Sequence, residues 1–170
     1  MKKLLVVVDM QNDFVRGTLG SADAVAILPN VIKKLRFARE NGVQIAFTRD
    51  THFENYSSTQ EGEKLPVLHC VKDTYGWEIV DGLYEDGEKV FDKPTFGSLE
   101  LAKFVQGEGF DEVELIGVCT DICVVSNALL IKAYCPEVRV QVSADCCAGV
   151  SKESHDAALK TMSSCQVEIL

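Results

Sequence analysis

The sequence predicts an α/β fold, a doubly wound and mostly parallel sheet with helices on both faces, in one domain spanning residues 1–170. Three observations carry this. Short runs rich in Val and Ile alternate with stretches of helical periodicity. The runs are apolar at nearly every position, as strands buried on both faces are, and no Pro/Gly/Ser linker, repeat or charge block divides the chain.

Taken in order, residues 4–8 form the first strand, closed at once by Asp9. Residues 24–41 carry apolar side chains at 27, 28, 31, 32, 35 and 38 and stop at Asn41-Gly42, which predicts one long helix. Residues 43–48 are a second strand, and the short run 89–91 precedes Lys93-Pro94, where the proline forces extended backbone. A helix is expected over 99–106, before Gly107, then a strand over 112–118 and a helix opening at Cys123 and running to about residue 133. Strand 138–143, a helix from Ser151 to about residue 164 and a short final strand over 167–170 complete the chain. Strand and helix in alternation imply right-handed crossovers, and in such sheets ligands bind outside the carboxyl ends of the strands.

Composition narrows the function. A formal net charge of −9 argues against a nucleic-acid groove or an anionic membrane surface, and the apolar run at the N-terminus is too short for a signal peptide or a membrane span. A small-molecule partner and a cytoplasmic location are therefore expected. The seven cysteines are odd in number and include the neighbours Cys146 and Cys147, which reads as reduced thiols rather than a disulfide framework.

Several polar residues fall at the ends of the expected strands. Asp9 follows the first; a carboxylate there is either a loop cap or a base. Asp50 and His52 follow the second, two residues apart, so that in extended backbone both point to one side and suit one divalent cation, with His69 as a third ligand. Glu61 is the candidate oxygen ligand for a fourth place, which Glu54 or water could also fill. The remaining histidine, His155, is expected at the surface. Cys123 sits where a helix starts, a position that lowers a thiol pKa and offers backbone N–H groups to an oxyanion; in isolation it would read as a small core residue. Lys93 would ordinarily be a solvated charge, but beside Asp9 and Cys123 its ammonium would stabilise an anionic intermediate.

Together the segments VVVDMQNDF, TRDTH, LPVLHC, FDKPTFGS, GVCTDICV and SADCCAGVSKESH, in this order over nearly the whole chain, resemble the isochorismatase-like cysteine hydrolases, and within them the nicotinamidase-type branch. The resemblance implies a catalytic triad of Asp9, Lys93 and Cys123, a cis peptide before Cys119, and an oxyanion hole from the backbone N–H groups of Cys119 and Cys123. It also implies one metal ion, zinc or else manganese or iron, on Asp50, His52 and His69 that anchors the substrate, with Phe14 packing on the substrate ring and the chain assembling as a homo-oligomer. The activity implied is hydrolysis of nicotinamide, or of another small amide, through a Cys thioester. The chain departs from the family pattern in the stretch before His69, Lys64-Leu65-Pro66-Val67-Leu68, where a tryptophan is often found. Trp77, eight residues after His69, is read as closing a loop rather than lining the pocket.

Overall fold

In the computed structural model, which describes residues 1–170, six parallel strands form one sheet in the order β3-β2-β1-β4-β5-β6. The elements run β1 (Lys3–Val8), α1 (Asn12–Val15), α2 (Ala22–Ala26), α3 (Leu28–Glu40), β2 (Gln44–Asp50), α4 (Gln60–Lys64), β3 (Lys89–Lys93), α5 (Leu99–Glu108), β4 (Glu112–Val118), α6 (Val125–Tyr134), β5 (Arg139–Ala148), α7 (Lys152–Ser164) and β6 (Glu168–Ile169). The strand order winds outward from β1 in one direction, then returns to β4 and winds outward in the other. The switch point between β1 and β4 is the crevice where a doubly wound sheet holds its ligand.

Alternation along β1 explains why both faces must be covered. Leu4, Val6 and Val8 point into a core with Leu101, Val105, Val124, Ile131 and Met162. Leu5 and Val7 point the other way, into a core with Ala24, Val31, Leu35 and Ala38. Burying each such side chain contributes about 1.5–3 kcal/mol, so a charge at Val6 would oppose the fold directly. Gly117 pairs with Val8 at φ 117°, and a Cβ there would lie 2.1 Å from the Val8 carbonyl oxygen, so only glycine lets β4 approach β1 this closely.

Five boundaries differ from expectation. The helix expected over 24–41 is two helices, because Pro29 lacks the N–H that would continue α2 and instead falls in the first turn of α3. The chain leaves α5 at Gly109, whose φ of 65° is the left-handed cap, whereas Gly107 lies inside the helix. β2 and β3 extend to Asp50 and Lys93, which pair across the sheet at their final residues. β5 runs on to Ala148 through an irregularity that shifts its register on β4 between Leu115 and Gly117 and turns Asp145 to solvent.

Candidate functional site

The carboxyl ends of β1, β2, β3 and β4 converge on one cluster. Asp9 leaves β1 at φ 48°, and its carboxylate is fixed by the Thr48 hydroxyl, which donates to Oδ1 at 2.6 Å. Asp9 Oδ2 lies 2.6 Å from Lys93 Nζ, and that ammonium is also 3.4 Å from Cys123 Sγ and 3.4 Å from Asp50 Oδ1. It donates as well to the Thr95 carbonyl at 3.2 Å. Lys93 and Asp9 are almost wholly buried, and Cys123 is 6% exposed. The structure thus brings together the three residues expected as a triad.

Cys123 does not open an α-helix, as the sequence suggested. It lies within a π-type turn over Thr120–Val124, with Cys119 at its N-terminal cap and α6 starting at Val125. The peptide between Val118 and Cys119 is cis. The expected lowering of the thiol pKa is also not met: burial, then the Asp9 charge, pushes the Cys123 thiol well above its ordinary value, and Lys93 offsets this only in part. The dipole of a helix start favours the thiolate, but burial beside carboxylates opposes it. Burial likewise raises the Asp9 carboxyl, against the pull of Lys93, while burial would lower the Lys93 ammonium but the neighbouring Asp9, Cys123 and Asp50 together hold it above its ordinary value. At rest the cluster therefore holds a neutral thiol beside a carboxylate–ammonium pair.

Asp50, His52, Glu61 and His69 form a second cluster whose donor atoms all lie within 4.8 Å of one another. His52 Nε2 is 2.9 Å and His69 Nε2 3.5 Å from Asp50 Oδ2; the same nitrogens are 3.6 and 4.0 Å from Glu61 Oε1. Bonds of about 2.0–2.1 Å in a tetrahedral zinc site place ligand atoms about 3.3 Å apart, so these gaps bracket what one ion requires. His69 Nδ1 bonds the Val67 carbonyl at 2.7 Å, which directs its Nε2 lone pair into the cluster. Two imidazoles and two carboxylates suit zinc, manganese or iron. Burial would raise the Asp50 carboxyl, but hydrogen bonds from His52 and His69 and the Lys93 charge hold it below the usual carboxylate range. Glu54 is exposed and takes no part.

A cavity of about 530 Å³ joins the two clusters. Asp50, Glu61 and His69 line one side, Cys119 and Cys123 another, and Phe14 closes the wall with its ring 5.5 Å from that of His69. Leu65 lines the cavity from the stretch that lacks the aromatic, and no Lys or Arg is among the lining residues. Trp77 stays out of it: its indole donates to Thr51 Oγ1 at 2.9 Å and the Arg49 guanidinium stacks 3.6 Å from its ring, which fits a loop-closing role. Sequence reasoning missed several supports. Buried Gln11 clamps Asp50 from both sides, accepting from its N–H at 2.7 Å and donating to its carbonyl at 2.9 Å. The string VVVDMQNDF contains Gln11, but nothing local marks its partner. His155, expected at the surface, is half-buried and bonds the Thr120 hydroxyl through Nδ1 at 2.7 Å.

The isochorismatase domain profile matches residues 3–170. A pyrazinamidase of Pyrococcus horikoshii, solved in complex with zinc, superposes with a TM-score of 0.89 at 33% identity, covering 100% of this chain and 99% of its own. The nicotinamidase/pyrazinamidase of Mycobacterium tuberculosis is 26% identical over 99% of this chain and 98% of its length. A probable inactive nicotinamidase of Arabidopsis thaliana is 32% identical, covering 93% of this chain and 86% of its own length.

Proposed function

The chain belongs to the isochorismatase family, and on that premise we propose that it is a metal-dependent nicotinamidase that converts nicotinamide to nicotinate and ammonia in the salvage of pyridine nucleotides. The observation that carries the reading is the single cavity that joins Cys123 to the Asp50, Glu61 and His69 ligands. One end holds a nucleophile with its base, the other a set of donors for an ion that can take a ring nitrogen. The apolar lining between them, free of Lys and Arg, suits an uncharged aromatic amide.

Asp9 accepts the Cys123 proton as sulfur adds to the amide carbonyl, which suits a thiol that is neutral at rest and a carboxylate whose pKa is raised. The backbone N–H groups of Cys119 and Cys123 receive the oxyanion, and the Lys93 ammonium, 3.4 Å from Sγ, balances the negative charge. Asp9 then returns the proton to the departing nitrogen, and ammonia leaves a Cys123 thioester. A water that gives its proton to Asp9 cleaves the thioester, releasing the carboxylic acid and restoring the thiol. Asp50, His52, His69 and Glu61 would hold the metal, which supplies a Lewis-acid anchor for the pyridine nitrogen. Phe14 packs against the ring. Cys70, Cys119, Cys123, Cys135, Cys146, Cys147 and Cys165 are all unpaired, in keeping with a cytoplasmic enzyme.

A second reading, an amidase for another small amide or ureido compound, draws on Leu65 standing where an aromatic would pack on the ring. Ammonia release from nicotinamide and from a panel of aliphatic amides, with and without chelator, separates the two. Nicotinamide should be preferred and chelator should abolish its turnover; a preference for an aliphatic amide supports the second reading, and no turnover of any amide by metal-replete protein would mean a non-catalytic member.

A further inference from the structure

The turn that carries Cys123 is braced by side chains rather than by backbone alone. Ser126 Oγ donates to the Ile122 carbonyl at 2.6 Å, and Asn127 Nδ2 donates to the Cys123 carbonyl at 2.8 Å. Both reach back four residues from the start of α6 into the π-type turn, whose wider winding takes carbonyls out of the regular i to i+4 ladder. Asn127 does more than Ser126. Its Nδ2 also donates to the Phe96 carbonyl at 3.2 Å, and its Oδ1 accepts from the Ser98 N–H at 2.9 Å.

Two carbonyls and one N–H around a single amide admit only one orientation of that amide. Asn127 is 1% exposed, so no water replaces these partners if it is lost. Its contacts lie on the Cys123 turn and on the loop that follows β3, which leaves the strand at Lys93 and runs through Pro94 and Thr95 to Phe96 and Ser98. The 3.4 Å gap between Lys93 Nζ and Cys123 Sγ joins the same turn to the strand end from which that loop departs, and Lys93 Nζ also donates to the loop at the Thr95 carbonyl, 3.2 Å away. We infer that Asn127 is a positioning residue that sets the register of Cys123 against Lys93 by tying the nucleophile turn to the loop that follows Lys93.

The inference rests on Cys123 and Lys93 being the reacting pair proposed above, but its test need not use nicotinamide. Asn127→Asp keeps the size and the bond to the Ser98 N–H while removing both donors; Asn127→Ser keeps a hydroxyl able to reach the Cys123 carbonyl but not that of Phe96. Val105→Ala, which thins the buried face of α5, reports general destabilisation. The readouts are the rate of iodoacetamide alkylation at Cys123, followed by mass spectrometry, and kcat and KM on nicotinamide. Asn127→Asp should slow alkylation at Cys123 and lower kcat by about tenfold or more with KM changed less than about threefold, and Asn127→Ser should fall between it and the parent. Val105→Ala should lose melting temperature with both rates within about twofold. Should Asn127→Asp fail to fold, Asn127→Ser carries the comparison. Alkylation within about twofold of the parent in the folded Asn127 variants, or losses that Val105→Ala reproduces at equal melting temperature, would overturn the inference. Absence of nicotinamide turnover in the parent, with the alkylation pattern as expected, would count against the substrate and not against the brace.

Discussion

Lys93 Nζ lies 2.6 Å from Asp9 Oδ2, an ion pair in which neither side chain is more than 1% exposed. A pair sealed this deeply gains little net stability from its own attraction, yet removing Lys93 strands Asp9 without water or counter-charge. Lys93→Met should therefore destabilise the fold by about 3–5 kcal/mol, while Asp9→Asn with Lys93→Met should recover much of that loss. Urea unfolding of the single and double variants checks it. A single variant costing under about 1 kcal/mol would mean that the pair is solvated.

The thiol predicts an unusual pH profile. Because burial and the Asp9 charge raise the Cys123 pKa well above 9.0, the thiolate fraction in the free protein should still be climbing at mildly alkaline pH. Alkylation at Cys123 should rise about tenfold per pH unit from roughly pH 6.5 to 8.5, with no plateau. A plateau below about pH 8 would point instead to a preformed thiolate.

Gln11 offers a test of the metal cluster that touches no ligand. Its amide holds the Asp50 backbone through two bonds and donates to the Trp77 carbonyl at 2.8 Å. Gln11→Leu should weaken zinc binding by about 10–100-fold, with activity restored at excess metal. Competition against a fluorescent chelator measures this, and unchanged affinity would show that Asp50 is held in place without the clamp.

Within the cluster the ligands should not be equal. His52 and Asp50 are buried, whereas the Glu61 side chain is 22% exposed and stands farthest from the imidazoles. His52→Ala should abolish metal retention through dialysis. Glu61→Ala should keep measurable metal, since water can take an exposed place, and equal losses in both would make Glu61 a full ligand.

Much of this was legible in the sequence because strand periodicity and strand ends are local signals. The run 4–8 closed by Asp9, and the TRDTH string at the end of β2, put carboxylates and imidazole at the right edge before any coordinates. The helix break at Pro29 was equally local, but the apolar spacing on both sides hid it. What could not be read were relations between distant segments. Gln11 meets Asp50 across 39 residues, Asn127 meets Phe96 across 31, and His155 meets Thr120 across 35. The raised thiol pKa belongs to the same class, because it arises from burial and from carboxylates on other strands.

The role of Cys123 as nucleophile is tested most directly by ammonia release from nicotinamide by metal-replete protein, measured for the parent and for Cys123→Ala at equal folded concentration. Steady release is expected from the parent and at least about a thousandfold less from the variant, since Cys119, the other thiol lining the cavity, lacks the Lys93 contact that Cys123 has. Release by Cys123→Ala at a rate near that of the parent would contradict that role.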